Sequence, residues 1–198
     1  MQMKFFTSDI HFGDALAVAC DGRQQFKNDK QYEKYTIKTW NKQAKKGDTI
    51  YVIGDMFDCH SKTDPYYKKE LWIPKKVKAD IVLVIGNNEE RIINNFYDGD
   101  FEKFRKDFQA HGVKDCMKDG YVNICGQDFY MTHKPIYHSK DMLTLFGHCH
   151  RAMGVYKSFG FNIGCDLNHF RLFSEDDIQV LLDGKRKYWD AEEDLRLI

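Results

Sequence analysis

Four histidines, two aspartates and one asparagine in this chain follow short apolar runs, and their side chains are competent to hold metal ions. Phe5-Phe6-Thr7-Ser8 runs into Asp9 and His11, and Tyr51-Val52-Ile53-Gly54 into Asp55. Val82-Leu83-Val84-Ile85-Gly86 runs into Asn87, and Phe129-Tyr130-Met131-Thr132 into His133. Leu143-Thr144-Leu145-Phe146-Gly147 runs into His148 and His150. A lone histidine is more often a hydrogen-bonded structural residue, and a lone Gly-Asp or Gly-Asn is more often a turn. The repetition at the ends of five runs needs a common cause. If the runs are strands of an open α/β sheet, their carboxyl ends border the crevice where such sheets bind ligands, and the seven side chains converge. In extended backbone, residues i and i+2 face one side, which suits Asp9 with His11 and His148 with His150. A glycine precedes Asp55, Asn87 and His148, as a sharp turn or a close backbone approach requires.

The elements that must position these groups are legible as runs and periods. Strands are predicted at Lys4 to Ser8, Thr49 to Ile53, Ile81 to Ile85, Tyr121 to Cys125, Phe129 to Thr132, Met142 to Phe146 and Val155 to Ile163. A helix is predicted over Asp29 to Lys46, with Asn28 as N-cap and Gly47 just past its end. Phe101, Phe104 and Phe108 at i, i+3 and i+7 predict a second helix, and Ser174-Glu175-Asp176-Asp177 caps a third. The Tyr66 to Lys78 stretch is broken by Pro74. Gly126-Gln127 is expected to turn a hairpin. Strands alternating with helices, then consecutive strands, mean a mixed α/β protein.

With 198 residues, 42% of them hydrophobic and 30% charged, and with no linker or repeat, the chain is expected to form a single domain over 1–198. Thirty basic and thirty acidic residues cancel, so no global field draws the protein to nucleic acid or to a membrane surface. Ala15 to Cys20 and Ile81 to Ile85 are far too short to span a bilayer, and Met1 to Asp9 lacks a signal-peptide core, so a cytoplasmic location without membrane partners is expected. The six cysteines contain no Cys-x-x-Cys pair and read as reduced, small apolar residues. The sequence sets no oligomeric state.

Asp9-x-His11, Gly54-Asp55, Gly86-Asn87, His133 and Gly147-His148-x-His150 together resemble the ordered signature of the calcineurin-like metallophosphoesterase superfamily. Flanking stretches are similar to its small bacterial and phage-type members: Thr7-Ser8-Asp9-Ile10-His11-Phe12-Gly13, Trp40-Asn41, His133-Lys134-Pro135 and Asn162-Ile163-Gly164-Cys165-Asp166. The resemblance implies a four-layered α/β sandwich of two mixed β-sheets flanked by helices. It also implies two divalent ions, one held by Asp9, His11, Asp55 and His150 and the other by Asp55, Asn87, His133 and His148, with Asp55 bridging. The reaction it implies is hydrolysis of phosphomonoesters or phosphodiesters by a metal-bridging hydroxide. Nitrogen and oxygen donors without thiolate suit manganese first, then iron, zinc, cobalt or nickel, over calcium.

The chain departs from the family pattern after Gly86-Asn87. Most relatives place there a histidine that orients phosphate and protonates the leaving oxygen, whereas this chain has Asn88. Asn88 can hydrogen-bond a phosphoryl oxygen but is no acid, and His60 is the nearest alternative proton donor in motif context. Arg91 and Arg151 are candidates to bind a phosphate oxygen, against the commoner fate of an ordinary salt bridge. Two further readings stand beside the phosphoesterase one. Lys62, Lys68, Lys69, Lys75, Lys76 and Lys78, interleaved with Tyr66, Tyr67 and Trp72, would suit a nuclease acting on single strands, although a solvated face over a core is the favoured account. A non-catalytic metal-binding interaction module that keeps the fold and at most one metal is the other, and Asn88 is its best argument.

Overall fold

The computed structural model describes residues 2–20, 22–58 and 66–188. In chain order these form β1 (Lys4–Thr7), α1 (Ala15–Cys20), α2 (Asp29–Gln43), β2 (Thr49–Ile53), β3 (Asp80–Val84), α3 (Asn87–Phe96), α4 (Phe101–Ala110) and β4 (Val113–Met117). There follow β5 (Gly120–Ile124), β6 (Gln127–Met131), β7 (Thr144–Phe146), β8 (Tyr156–Lys157), β9 (Gly160–Asn162), β10 (Phe173–Ser174) and α5 (Glu175–Tyr188). One sheet has the order β10-β1-β2-β3-β4 and the other β5-β6-β7-β9-β8, five strands each. Both are mixed: β1 to β4 run parallel with β10 antiparallel, and β6, β7 and β9 run parallel between antiparallel edges.

The period of two along the strands explains the layering. Phe5, Val52 and Leu83 face a core shared with Tyr32 and Trp40 of α2, Ile92 of α3 and Phe104 and Phe108 of α4. Their neighbours Phe6, Ile53 and Val84 face a second core shared with Phe129, Met131, Leu145 and Phe161 of the other sheet and Ile178 and Leu182 of α5. A parallel sheet buried on both faces reads as an unbroken apolar run, as Ile81 to Ile85 does. The result is the two-sheet α/β sandwich with helices that the motif implies.

Local differences from the sequence expectations have physical causes. Helix α2 starts as predicted, with the Asn28 side chain accepting from the Gln31 N–H, but ends at Gln43. The Asp48 carboxylate accepts from the backbone N–H groups of Lys45 and Met3 and draws the chain out of the helix toward β2. The β5–β6 turn falls on Cys125-Gly126, both at positive φ (50° and 86°), as a two-residue hairpin of the mirror-image type demands, and Gln127 already pairs with Ile124. The Val155 to Ile163 run divides into β8 and β9, which fold back on each other.

The basic stretch forms two short 3₁₀ turns, Tyr66–Lys69 and Pro74–Lys76. Leu71, Ile73 and Val77 are buried beneath exposed Lys68, Lys69, Lys75, Lys76 and Lys78, the pattern of a solvated face over a core. Lys62 and His60 lie outside the described residues. Among the described residues, no helix is long and apolar enough to cross a membrane.

Candidate metal centre

Because β1, β2 and β3 run parallel, the loops that follow them leave the same edge of the first sheet. The Asp9 N–H donates to the Gly54 carbonyl at 3.1 Å and the His11 N–H to the Asp55 carbonyl at 2.9 Å, so the first two loops lie side by side. In the second sheet, the loops after β6 and β7 are joined by the Gly147 N–H on the His133 carbonyl at 3.0 Å. The two sheets meet at this edge: Ser8 bridges Gly164, and the His148 N–H donates to the Asp9 carboxylate at 2.9 and 3.0 Å.

Two groups of side chains result, Asp9 with His11 and His150, and Asp55 with His133 and His148, and the donor atoms of each lie within 4.8 Å of one another. Asp55 Oδ2 stands 3.9 Å from His11 Nε2 and 3.4 Å from His133 Nε2, between the two groups. Asn87 brings Oδ1 to 3.1 Å from His133 Nε2. All seven donors read from the sequence therefore meet at one place. A third grouping brings His11 together with Asp14 and Asp58.

The local backbone achieves this in a way the sequence reading did not foresee. Asp9, His11, Asp55, His148 and His150 all have positive φ, between 45° and 73°. The i, i+2 pairs are therefore joined through left-handed residues rather than extended backbone. Asp, Asn and His enter that region more readily than most residues, but it still stores strain that the surrounding structure must hold, and such strain gathers at functional sites. Gly86 is required by close approach: a Cβ there would lie 2.5 Å from the Asp55 backbone nitrogen. Gly54, at φ 82°, leaves room for the imidazole of His133.

Three residues that carried no role in the sequence reading hold the loops. Glu89, fully buried, accepts from the backbone N–H groups of Asp55 (2.8 Å), Met56 (3.0 Å), Phe57 (3.3 Å) and Gly86 (2.9 Å), and so ties the loop after β2 to the start of α3. Burial and the charge of Asp55 push its carboxyl up to about 7 against those donors. Asp166 accepts from His150 Nδ1 at 2.8 Å and from Arg23 Nε at 3.0 Å. A carboxylate behind an imidazole fixes its tautomer and raises its basicity toward a metal. Arg23, also fully buried, donates to the carbonyls of Asp9 and Ile10, both at 2.7 Å. The Gly-Asn-x-Glu spacing is a signal for Glu89, a glutamate in the first turn of a helix, and Asp166 closes the Asn162-Ile163-Gly164-Cys165-Asp166 stretch; nothing in the sequence singles out Arg23.

Of the other residues singled out, Asn88 is buried, with its amide between Arg91 Nη1 (3.0 Å to Oδ1) and His11 Nδ1 (3.2 Å from Nδ2), and its backbone N–H donates to Asp55 Oδ1. Arg91 thus reaches the edge of the centre through Asn88. Arg151 is exposed and packs its guanidinium against Gly22.

The donor set fits a pair of divalent ions. His11 Nε2 is buried and has no hydrogen-bond partner among the described residues, an arrangement that costs free energy unless a ligand completes it. Burial lowers the pKa of His11 and of His148, keeping both imidazoles neutral as metal ligands must be. His133 differs: burial opposes its charged form, but the hydrogen bond and charge of Asp55, with Asp9 and the Ile53 carbonyl behind them, raise its pKa from 6.5 to about 9. Burial likewise opposes the Asp55 carboxylate, yet His133 and His11 bring it down to about 2.

The His133 contribution to stability in the cation-free protein is full below 6.5 and lost as pH rises through about 9; the Asp55 contribution is full above 3.8 and lost as pH falls through about 2. A cation held by His133 would displace the proton that the Asp55 carboxylate favours there. Titration calorimetry in buffers of different ionisation enthalpy is expected to show about one proton released per molecule and weaker binding as pH falls. Release of no proton would contradict the His133–Asp55 pairing.

The sequence model of the calcineurin-like phosphoesterase family matches residues 5–192, and the chain belongs to this family. No curated protein matches it in sequence. A solved structure of the protein AQ665 of unknown function from Aquifex aeolicus is 18% identical, with a TM-score of 0.63 over 91% of this chain and 100% of that one, which shows a shared fold. Lower similarity is found to the nuclease MPE of Pseudomonas putida, with 15% identity and a TM-score of 0.46 over 74% of this chain and 61% of that one. The phosphoesterase Yfce of E. coli is 13% identical, with a TM-score of 0.40 over 82% of this chain and 78% of that one.

Proposed function

We propose that this protein is a two-metal phosphoesterase that hydrolyses phosphomonoesters or phosphodiesters, with manganese as the first choice of ion. The observation that carries this reading is the position of the Asp55 carboxylate between His11 of one donor group and His133 of the other, within 4 Å of both. Asp9, His11 and His150 would hold one ion, Asn87, His133 and His148 the other, and Asp55 would serve both. When bound, a pair of divalent cations lowers the pKa of the attacking water and offsets the charge on the phosphoryl oxygens.

The chain's own groups do the rest. Asp9 and Asp55 bring two negative charges against the four of two ions, and the remaining ligands are neutral, so the loaded site keeps a net positive charge that favours phosphate. Asp166 keeps His150 aimed, and Glu89 keeps Asp55 and Asn87 at their separation. Asn88 and Arg91, on the first turns of α3, are the groups through which the protein would orient a phosphoryl oxygen. Asn88 is no acid, so either activated leaving groups are the better substrates or another histidine, of which His60 is the nearest in motif context, supplies the proton to the leaving oxygen.

The test is a panel of aryl monoesters, aryl diesters and cyclic nucleotides assayed after manganese loading and again after chelation. Hydrolysis of at least one class that chelation removes and manganese restores is expected. Hydrolysis indifferent to chelation, or none with any of the five metals, would refute the reading.

A further inference from the structure

We propose, resting on the phosphoesterase reading, that the groove beside Asn87 and His133 seats a single nucleoside arm of a phosphodiester substrate. A hollow of about 410 Å³ begins at these two metal-site residues and extends past Lys134, Tyr137 and Tyr130 to Lys118. A second hollow of about 310 Å³ shares Ile85, Glu90 and Lys118 with the first and continues to Phe101. The two hollows share a wall, and the first borders the metal centre at Asn87 and His133. A phosphoryl group with a small alcohol would leave most of that length to water, whereas a sugar and base would fill it.

The walls select the kind of arm. Tyr137 presents its ring to solvent, 62% exposed, on the turn that follows His133 and Lys134, and Phe101 closes the far end with the Lys118 ammonium 5.9 Å from its ring centre. Aromatic faces at a groove hold a planar base by stacking, independently of its sequence. Between them Glu90 and Asp119 offer carboxylate oxygens to sugar hydroxyls or exocyclic amines, and Lys118 and Lys134 offer ammonium donors. Charge decides between one nucleoside and a strand. Two lysines face Glu90 and Asp119, and the Lys134 ammonium already lies 3.1 Å from Glu90, so the groove has no net positive charge to track a polyanion. A neutral arm loses nothing by this.

The experiment compares two diesters with one leaving group, the 4-nitrophenyl ester of thymidine 5′-monophosphate and methyl 4-nitrophenyl phosphate, on the manganese-loaded protein. The thymidine ester is expected to have the higher kcat/KM by about tenfold, mostly in KM, and Tyr137→Ala and Lys118→Ala are each expected to cut that ratio severalfold. Saturation-transfer NMR supplies a readout without turnover: thymidine alone should receive saturation from the protein and lose it in Tyr137→Ala. Equal kcat/KM for the two diesters, or a ratio that both substitutions leave unchanged, overturns the groove assignment and leaves the phosphoesterase reading intact. Hydrolysis of neither ester together with saturation of thymidine supports the groove and overturns the diester substrate, while the monoester arm of the earlier panel still decides the phosphoesterase reading; neither signal overturns the groove and the diester substrate together. Competition by a thymidine oligonucleotide far tighter than by thymidine 5′-monophosphate, and steeply weakened by salt, would mean a strand and overturn the single-nucleoside assignment.

Discussion

Asp55→Asn is expected to lower kcat/KM for every phosphoester the protein hydrolyses by roughly a thousandfold or more, because its carboxylate stands within 4 Å of both His11 and His133, one from each donor group. Loss of a partner behind a ligand costs about 10- to 100-fold, and loss of one preorganised hydrogen-bond donor about 10²- to 10³-fold. If Asp55 serves two ions as proposed, removing its charge should exceed both. The substitution is close to isosteric and leaves the Asn88 N–H an oxygen to donate to, so the fold should survive. In the cation-free protein it also removes the partner that holds His133 charged, and proton release on metal loading should vanish with it. The measurements are kcat/KM on the best ester of the panel and metal content by mass spectrometry, with an intact circular dichroism spectrum as control. Activity within tenfold of the unaltered protein, with two ions still bound, would show that Asp55 is not shared.

The strand ends were legible because two independent patterns coincide there. Apolar, β-branched runs such as Ile81 to Ile85 declare a sheet buried on both faces, and the residues just beyond them are of types that runs of turn chemistry would not select five times. The geometry that joins the donors was not legible. Left-handed backbone at Asp9 and His148 depends on hydrogen bonds from another loop, and the His148 N–H reaches the Asp9 carboxylate across 139 positions. Helix α3 was hidden for a related reason. Gly86-Asn87-Asn88 has the composition of a turn, and it opens a helix here because Glu89 folds back on the Gly86 N–H while binding the loop after β2. Charged residues such as Glu89 and Arg23 carry a strong expectation of exposure, and only the partners that a fold brings to them reverse it.

Arg23 shows how much rests on such a reversal, and Arg23→Met is expected to destabilise the protein by about 3–5 kcal/mol, the cost typical of breaking a buried ion pair from one side. Its guanidinium has no exposed surface, forks onto both oxygens of Asp166 at 3.0 and 3.3 Å, and lies 4.9 Å from the ring centre of Tyr32 and 5.8 Å from that of Phe170. Methionine would fill part of the volume but strand the Asp166 carboxylate and the carbonyls of Asp9 and Ile10 without their donor. Arg23→Lys keeps the charge without the fork and should fall between. Burial works to raise the Asp166 pKa, but His150 and Arg23 together lower it, so its contribution is full above 3.8 and is lost as pH falls through the lowered value. The stability gap between the unaltered protein and Arg23→Met should therefore narrow in acid. Arg23→Met/Asp166→Asn should recover part of the loss at neutral pH, since no buried charge is then left alone, while metal binding stays weakened through His150. Denaturant unfolding of the metal-free proteins at pH 7 and at a series of values below 3.8 measures all three. A loss below about 1 kcal/mol for Arg23→Met would place this pair among the ion pairs that contribute little, and the loops around Asp9 would then need another support.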